Sequence, residues 1–483
     1  MNRLKQLGKD SVIYGIGGAL ANGVAFFLLP LYTRVFSPSD YGTIEMMVVI
    51  VSFLLATLVM GMDSAQSYFF FEQKKNGLQA QREVVSAILQ LRLTWGISAV
   101  IAAGLSAPLL NSWFFQGSLQ WHYFAIAFAG AFFATIMGQS VELFRLLYKP
   151  WSYVCITLVN SILGAGLIIL FVIVFEQGVY GYFLGTTISA LVVAGVGWYL
   201  MRDYIDFSVW HTAWWPRLLR FGIPLLPAGM AFYAMSTMDR WFIQHYHGSE
   251  ALGIYSAGAK FALIMALIAH TFRKAWWPVA MDAMQSNDGP HTFRMIARLY
   301  TGIGTAGVIF LAVISPWLVR WMTGPEFHSA WPIVSILAWQ SLFYGFYLIA
   351  SAGIWKAEKT SVSMILMIGA AIINLGLNYA LVPNYGGIGA AVATATTFFL
   401  WTISSMYISE KYWRVGFPFI IILSQIGVGI IVVSALLVLM LQNIYSAWMF
   451  VVVGLLSISL LISALDATQR KHLIKVLHNT WKK

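Results

Sequence analysis

Apolar residues run along this chain in blocks of about twenty, each closed by a short polar or charged turn and followed by another block. Within a block they neither alternate with polar residues, as on a half-buried strand, nor keep to one helical stripe. A segment apolar all round needs apolar surroundings, and about twenty helical residues at ~1.5 Å each span the ~30 Å of a bilayer core. The pattern predicts spans at 11–31, 41–64, 84–110, 119–139, 151–175, 179–200, 217–241, 251–277, 295–319, 330–354, 361–382, 387–408, 417–440 and 445–465. Continuous runs favour helices over a barrel, whose strands alternate in polarity, and a helix satisfies every backbone group within its own segment.

Composition agrees: of 483 residues 59% are hydrophobic and 10% charged, too few polar groups to cover a water-soluble surface of this size. The fold class is therefore an all-α polytopic membrane protein with about 14 transmembrane helices. The start, with Arg3, Lys5 and Lys9 before an apolar stretch and Ala19-Leu20-Ala21, imitates a signal peptide. Because the run continues to Leu31, it reads as an uncleaved first span. The single cysteine, Cys155, sits in an apolar run and is expected to be buried in packing.

Charge sorts the connections. Counting alternate loops, 24 of the 29 Lys and Arg fall on one side, while Arg34, Arg240 and Arg320 fall on the other and Arg92 and Lys260 lie within spans. The positive-inside rule then places both termini in the cytoplasm. The net charge of +11 is dispersed over membrane-end loops with no basic stripe, so topology and anionic headgroups explain it and nucleic acid is not a partner. Trp214, Trp215, Trp276 and Trp277 suit an interfacial belt.

The pattern repeats. Gly178-Val179-Tyr180-Gly181 matches Gly386-Gly387-Ile388-Gly389, Tyr14-Gly15 matches Phe221-Gly222, and Tyr41-Gly42 matches Leu252-Gly253, at offsets of 207 to 211 residues. Duplication of a six-span unit gives two pseudo-symmetric parallel six-helix bundles plus two extra C-terminal helices. The predicted divisions are 1–200 for the first bundle, 201–216 for an aromatic interfacial linker on the cytoplasmic side, 217–410 for the second bundle, and 411–483 for the two added helices and a basic tail. Two parallel bundles with a site between them suit an alternating-access transporter, although duplication by itself also permits a channel or scaffold.

Four stretches carry a resemblance: LLPLYTRVFSPSDYG, GMDSAQSYFFF, MDRWFIQHYHGSEALGIYSAGAKFA and INLGLNYALVPNYGGIGAAVATATT. They resemble the polysaccharide transporter family, the Wzx-type flippases of the multidrug/oligosaccharidyl-lipid/polysaccharide exporter superfamily, over nearly the whole chain. The resemblance implies two bundles forming a V with two extra helices. It also implies movement of polyprenyl-diphosphate-linked glycans from the cytoplasmic to the outer leaflet of a bacterial inner membrane for lipopolysaccharide, O-antigen or exopolysaccharide. Membrane lipids, and possible polymerase or assembly proteins, are the implied partners.

Charges inside a membrane are functional candidates because each costs about 3 kcal/mol or more at the centre. Lys260 lies roughly 14 Å into its span and Arg92 at similar depth from the other side, so the two could hold a diphosphate in a cationic cavity. Neutralisation by a nearby carboxylate, or snorkelling, is the alternative for each. Glu45, Asp63, Asp239 and Arg240 stand near span ends as gate, cap or coupling residues. Pro30, Pro224 and Pro227, in the equivalent first spans of the two halves, mark helices that could bend or carry static kinks. Asn374 and Asn378 share one helix face, where hydrogen bonding to a neighbouring helix is the default; His270 reads as interfacial; Gly302, Gly304 and Gly307 read as close helix contacts.

No spacing suggests a P-loop, metal site or nucleophile triad, so no cofactor, metal or direct use of ATP is expected. Three readings remain beside the flippase: a cation-coupled exporter of the same superfamily, a membrane-embedded glycan polymerase or acyltransferase, and a non-transporting assembly partner. The cationic span charges disfavour the exporter, and short outer loops with few acid–base groups disfavour the enzyme.

Overall fold

The computed structural model describes residues 13, 17, 18, 20, 23, 24, 26–442, 444 and 447–464. Nine of the 21 residues of the first predicted span, Tyr14-Gly15 among them, the basic leader and the basic tail lie outside the described residues. The elements are α1 (Leu29–Val35), α2 (Pro38–Val59), α3 (Met62–Gln73), α4 (Leu78–Phe115), α5 (Trp121–Leu146), α6 (Pro150–Ile169), α7 (Gly178–Leu200) and α8 (Trp215–Gly222). They continue as α9 (Leu226–Gln285), α10 (Gly289–Met322), α11 (Trp331–Ala350), α12 (Ala352–Lys356), α13 (Thr360–Tyr412), α14 (Phe419–Leu441) and α15 (Ala447–Ala464). Among the described residues ten helices are long and apolar enough to cross a membrane, and no strand occurs. The chain is an all-helical, multi-pass membrane protein.

Two long helices are each broken once, where a glycine takes a conformation that side chains avoid: Gly248 (φ 79) inside α9 and Gly386 (φ 53) inside α13. Each break falls between two predicted spans. The backbone also repeats: Tyr148 (φ 55) and Glu358 (φ 56), 210 residues apart, turn the chain before α6 and α13, and Gly178 (φ 53) opens α7 as Gly386 opens the second arm of α13.

The stretch after α2, which falls almost wholly between the predicted spans 41–64 and 84–110, is helical from Met62 to Gln73. Met60 and Gly61 are both left-handed and end α2, and α3 then buries Met62, Ala65, Gln66, Phe69 and Phe70. That spacing of three and four is one helix face, hidden in the sequence by polar neighbours.

By packing, the residues form two compact units, Met1–Gly253 and Ile254–Lys483. In the first, α5 packs on α7, α6 on α7 and α4 on α5. In the second, α10 is central, against α11, α14 and α15, while α11 packs on α13. The last two helices are thus joined to α10 by built contacts: Thr301 donates to Gln425 Oε1 at 2.6 Å, and Gly429 lies against Thr305 and Trp339 with no room for a side chain.

Cys155 corrects an expectation, since it is exposed on α6. In a membrane helix the lipid face and the packed face are equally apolar, so hydropathy cannot separate them. Large apolar side chains such as Leu105, Ile162, Ile420 and Ile431 are likewise exposed, which suits helices surrounded by hydrocarbon.

Candidate functional site

Two charged clusters in the first unit include the residues singled out from the sequence. In one, Arg92 on α4 is 2% exposed, donates through Nη1 to the Thr135 carbonyl on α5 at 2.6 Å, and through Nη2 to Asp63 Oδ1 at 2.5 Å. Asp63 stands in the first turn of α3, just past the left-handed break at Met60-Gly61. A carboxylate at a helix N-terminus meets the positive end of the dipole, which adds to the attraction of the guanidinium. The structure therefore joins two residues that hydropathy assigns to separate roles, and Arg92 is enclosed rather than set in an open cavity. Gln66 and Gln139 extend the buried polar strip, Gln66 Nε2 donating to the Gln139 carbonyl and Gln139 Nε2 to the Val85 carbonyl.

The second cluster brings together Glu45 on α2 with Asp239 and Arg240 on α9. Arg240 Nη1 is 3.2 Å from Asp239 Oδ1 and its Nε 4.0 Å from Glu45 Oε2, while the Arg240 backbone N–H also donates to Asp239. Glu45 and Asp239 are 5% and 2% exposed. Tyr41, one turn before Glu45, hydrogen-bonds its carboxylate, and Tyr182 on α7 lies within its electrostatic reach, with Tyr32 packed edge-on against Tyr182. Buried ions persist only when paired and hydrogen-bonded, and here the pairing ties α2 to α9.

Lys260 lies in the second unit, partly buried, about 18 Å along α9 from the kink at Gly248. Pro30 occupies the second position of α1, Pro224 sits in a tightened turn at Ile223–Leu225, and Pro227 is the second residue of α9. In that unit Asn374 Nδ2 donates to Thr397 Oγ1 at 3.3 Å, tying the two arms of α13, and Gly304 accepts Leu342 against its backbone. Among the described residues no group of acidic, His or Cys side chains is disposed to hold a metal ion.

Sequence reasoning missed a ladder on α4. Arg82, Ser86 and Gln90, four residues apart, bond the linker after α7: Arg82 Nε to the Asp203 carbonyl, the Asp206 N–H to Ser86 Oγ, Gln90 Nε2 to the Val209 carbonyl, and the His211 N–H to Gln90 Oε1. The linker then enters α8, where Leu218 is fully buried and Arg217 pairs with Glu72 at 2.7 Å while lying over Phe69. The available signal was the recurrence of Arg82, Ser86 and Gln90 at every fourth position, set among other polar residues at the start of α4.

Comparison with known proteins supplies the lineage. The family model described as "Polysaccharide biosynthesis protein" matches residues 7–284. The chain belongs to that family. A second model, MatE, matches residues 224–380. The curated protein "Lsg locus putative protein 1" of Haemophilus influenzae is 24% identical over 350 residues, covering 71% of this chain and 80% of its own. Among solved structures, "Lipid II flippase MurJ, inward closed conformation" superposes with a TM-score of 0.72 at 15% identity, covering 96% of this chain and all of that one. An inward-facing multidrug resistance MATE transporter of the MOP superfamily gives 0.64 at 14% identity, over 84% and 94%. These two likenesses show that the chain has the fold of those solved transporters and flippases.

Proposed function

We propose that this protein flips polyprenyl-diphosphate-linked oligosaccharide repeat units from the cytoplasmic to the outer leaflet by alternating access, in the synthesis of a surface polysaccharide. The observation that carries the reading is the polysaccharide-family match over residues 7–284, joined to a flippase-like fold. The halves 1–200 and 217–410 act as the moving bundles, with both termini cytoplasmic as the bias of 24 of 29 basic residues indicates. Lys260 is the headgroup contact; Arg92 joins it only when Asp63 releases the guanidinium. Glu45, Asp239 and Arg240 form the outer gate, and the tightened turn around Pro224 lets the helix entering α9 bend.

A second reading, cation-coupled export of a drug or other small molecule, draws on the MatE match over residues 224–380. Deleting the gene and extracting lipids separates them. Mass spectrometry is expected to find an accumulated polyprenyl-diphosphate oligosaccharide that a membrane-impermeant reagent cannot reach from outside. An unchanged pool, or one fully exposed outside, removes the flippase reading and leaves the exporter.

A further inference from the structure

The two glycines that the repeat equates also touch each other. Gly42 and Gly253 are 211 residues apart in the chain, and so are Pro38 and Ser249. A Cβ on Gly42 would stand 1.8 Å from the Ser249 carbonyl oxygen, and a Cβ on Gly253 would stand 1.9 Å from the Pro38 carbonyl oxygen. Each glycine therefore meets the carbonyl four residues before its counterpart, as a local two-fold axis requires. Both are buried, with Tyr41 and Leu252 beside them at 3% and 0% exposure.

We propose that this pair is the seam closing the transport path at the outer face, with Glu45 and Arg240 as its ionic latch; the proposal rests on the flippase reading above and on its orientation. The Gly42–Gly253 contact is backbone against backbone, Cα–H to carbonyl, so it interlocks no side chains and parts without rotamer changes. The latch lies one turn from Gly42, where Arg240 joins Glu45 and Asp239. Closing the seam dehydrates these charges and opening restores their water, so close packing favours one state and hydration the other. A seam with opposed terms of this kind opens and shuts in each cycle. The turn carrying Ser249 is held in place on the closed side by Gln244, which donates to Ser249 Oγ and to the Phe114 carbonyl, both at 3.0 Å.

The test reads access directly in the full-length chain. Ser236 lies one turn behind the latch, its carbonyl accepting from Arg240. In a C155S background, since Cys155 is exposed, S236C becomes the reporter for a membrane-impermeant maleimide applied outside intact cells. Gly42→Ala or Gly253→Ala puts a methyl group where a carbonyl lies, and labelling is expected to rise at least tenfold at unchanged abundance. Unchanged labelling in either stably inserted variant overturns the proposal. Should neither alanine variant reach the membrane, Arg240→Gln carries the test, adding no atom to the seam: a threefold or greater rise supports the seam, and an unaltered rate overturns it. Labelling needs no substrate, so a seam that opens in a protein whose deletion leaves the lipid-linked pool unchanged keeps the gate and retires the glycan reading.

Discussion

Arg92 and Asp63 are joined at 2.5 Å, yet their side chains stand in unlike surroundings, the guanidinium 1% exposed and the carboxylate 46%. The pair is thus a buried cation capped by a partly hydrated anion. Removing the cap leaves the cation, among the described residues, with the Thr135 carbonyl, and breaking a buried pair from one side costs about 3 kcal/mol or more; hydration of Asp63 sets the low end here. Asp63→Asn is therefore expected to lower the melting temperature in detergent by several degrees. The Arg92→Leu/Asp63→Asn double variant should regain most of it. Equal melting of D63N and the parent would show that Arg92 does not depend on this partner.

Gly61 and Gly222 make a second close approach between α2's end and α8's end. Gly61 has φ 69, a Cβ there would be 2.8 Å from the Gly222 oxygen, and a Cβ on Gly222 would be 2.3 Å from the Met60 oxygen. A left-handed residue with a side chain costs about 1–2 kcal/mol before any clash. G61A and G222A are both expected to lose about 2 kcal/mol or more of stability. The control is G104A, where nothing lies within 4 Å of the new methyl and a helix-interior alanine gains up to ~1 kcal/mol. Thermal unfolding of the three variants checks the ordering; a G222A protein as stable as G104A would mean the helix ends shift apart freely.

The hydropathy pattern made the helices legible because lipid forces every spanning segment to satisfy its own backbone. It even separated the arms of α9 and α13, since Gly248 and Gly386 interrupt the apolar runs at the breaks. It lost α3, whose polar residues masked a buried face, and the facing of Cys155, because lipid and protein interior are alike to hydropathy. For the site, the repeat equated Gly42 with Gly253, but only coordinates show that equivalent positions touch. The union of Arg92 with Asp63 was likewise out of reach: the residues are 29 apart on different helices, and pairing depends on rotation about each axis.

Gln90 offers a test of the linker ladder. It makes two hydrogen bonds to the backbone at Val209 and His211, each worth about 1 kcal/mol. Gln90→Ala is expected to raise amide exchange across 203–212 about tenfold or more, with α5 and α6 unaffected. Nearby, the Ser208 hydroxyl and N–H hold the Asp206 carboxyl below its ordinary range. A lowered folded-state value stabilises above the unfolded-state value, and the benefit is lost only as pH falls through the lowered one. Protection of this turn is therefore expected to persist into acid and to fade at higher pH in Ser208→Ala. Identical exchange profiles for S208A and the parent would refute the role of Ser208.

Lys260 is the residue on which substrate chemistry and structure can be separated. A cation within a spanning helix is a functional candidate by default, and Lys260 is the proposed headgroup contact. If that headgroup is a diphosphate, Lys260→Ala should cut the appearance of lipid-linked glycan outside at least tenfold while membrane abundance stays at the parent level. Lys260→Arg should retain part of the transport, because the charge survives although its geometry changes. Both variants are measured by outside accessibility of the glycan, normalised to protein by immunoblot. Loss of abundance in K260A together with loss of export would assign Lys260 to folding, and full export in K260A would remove it from the path.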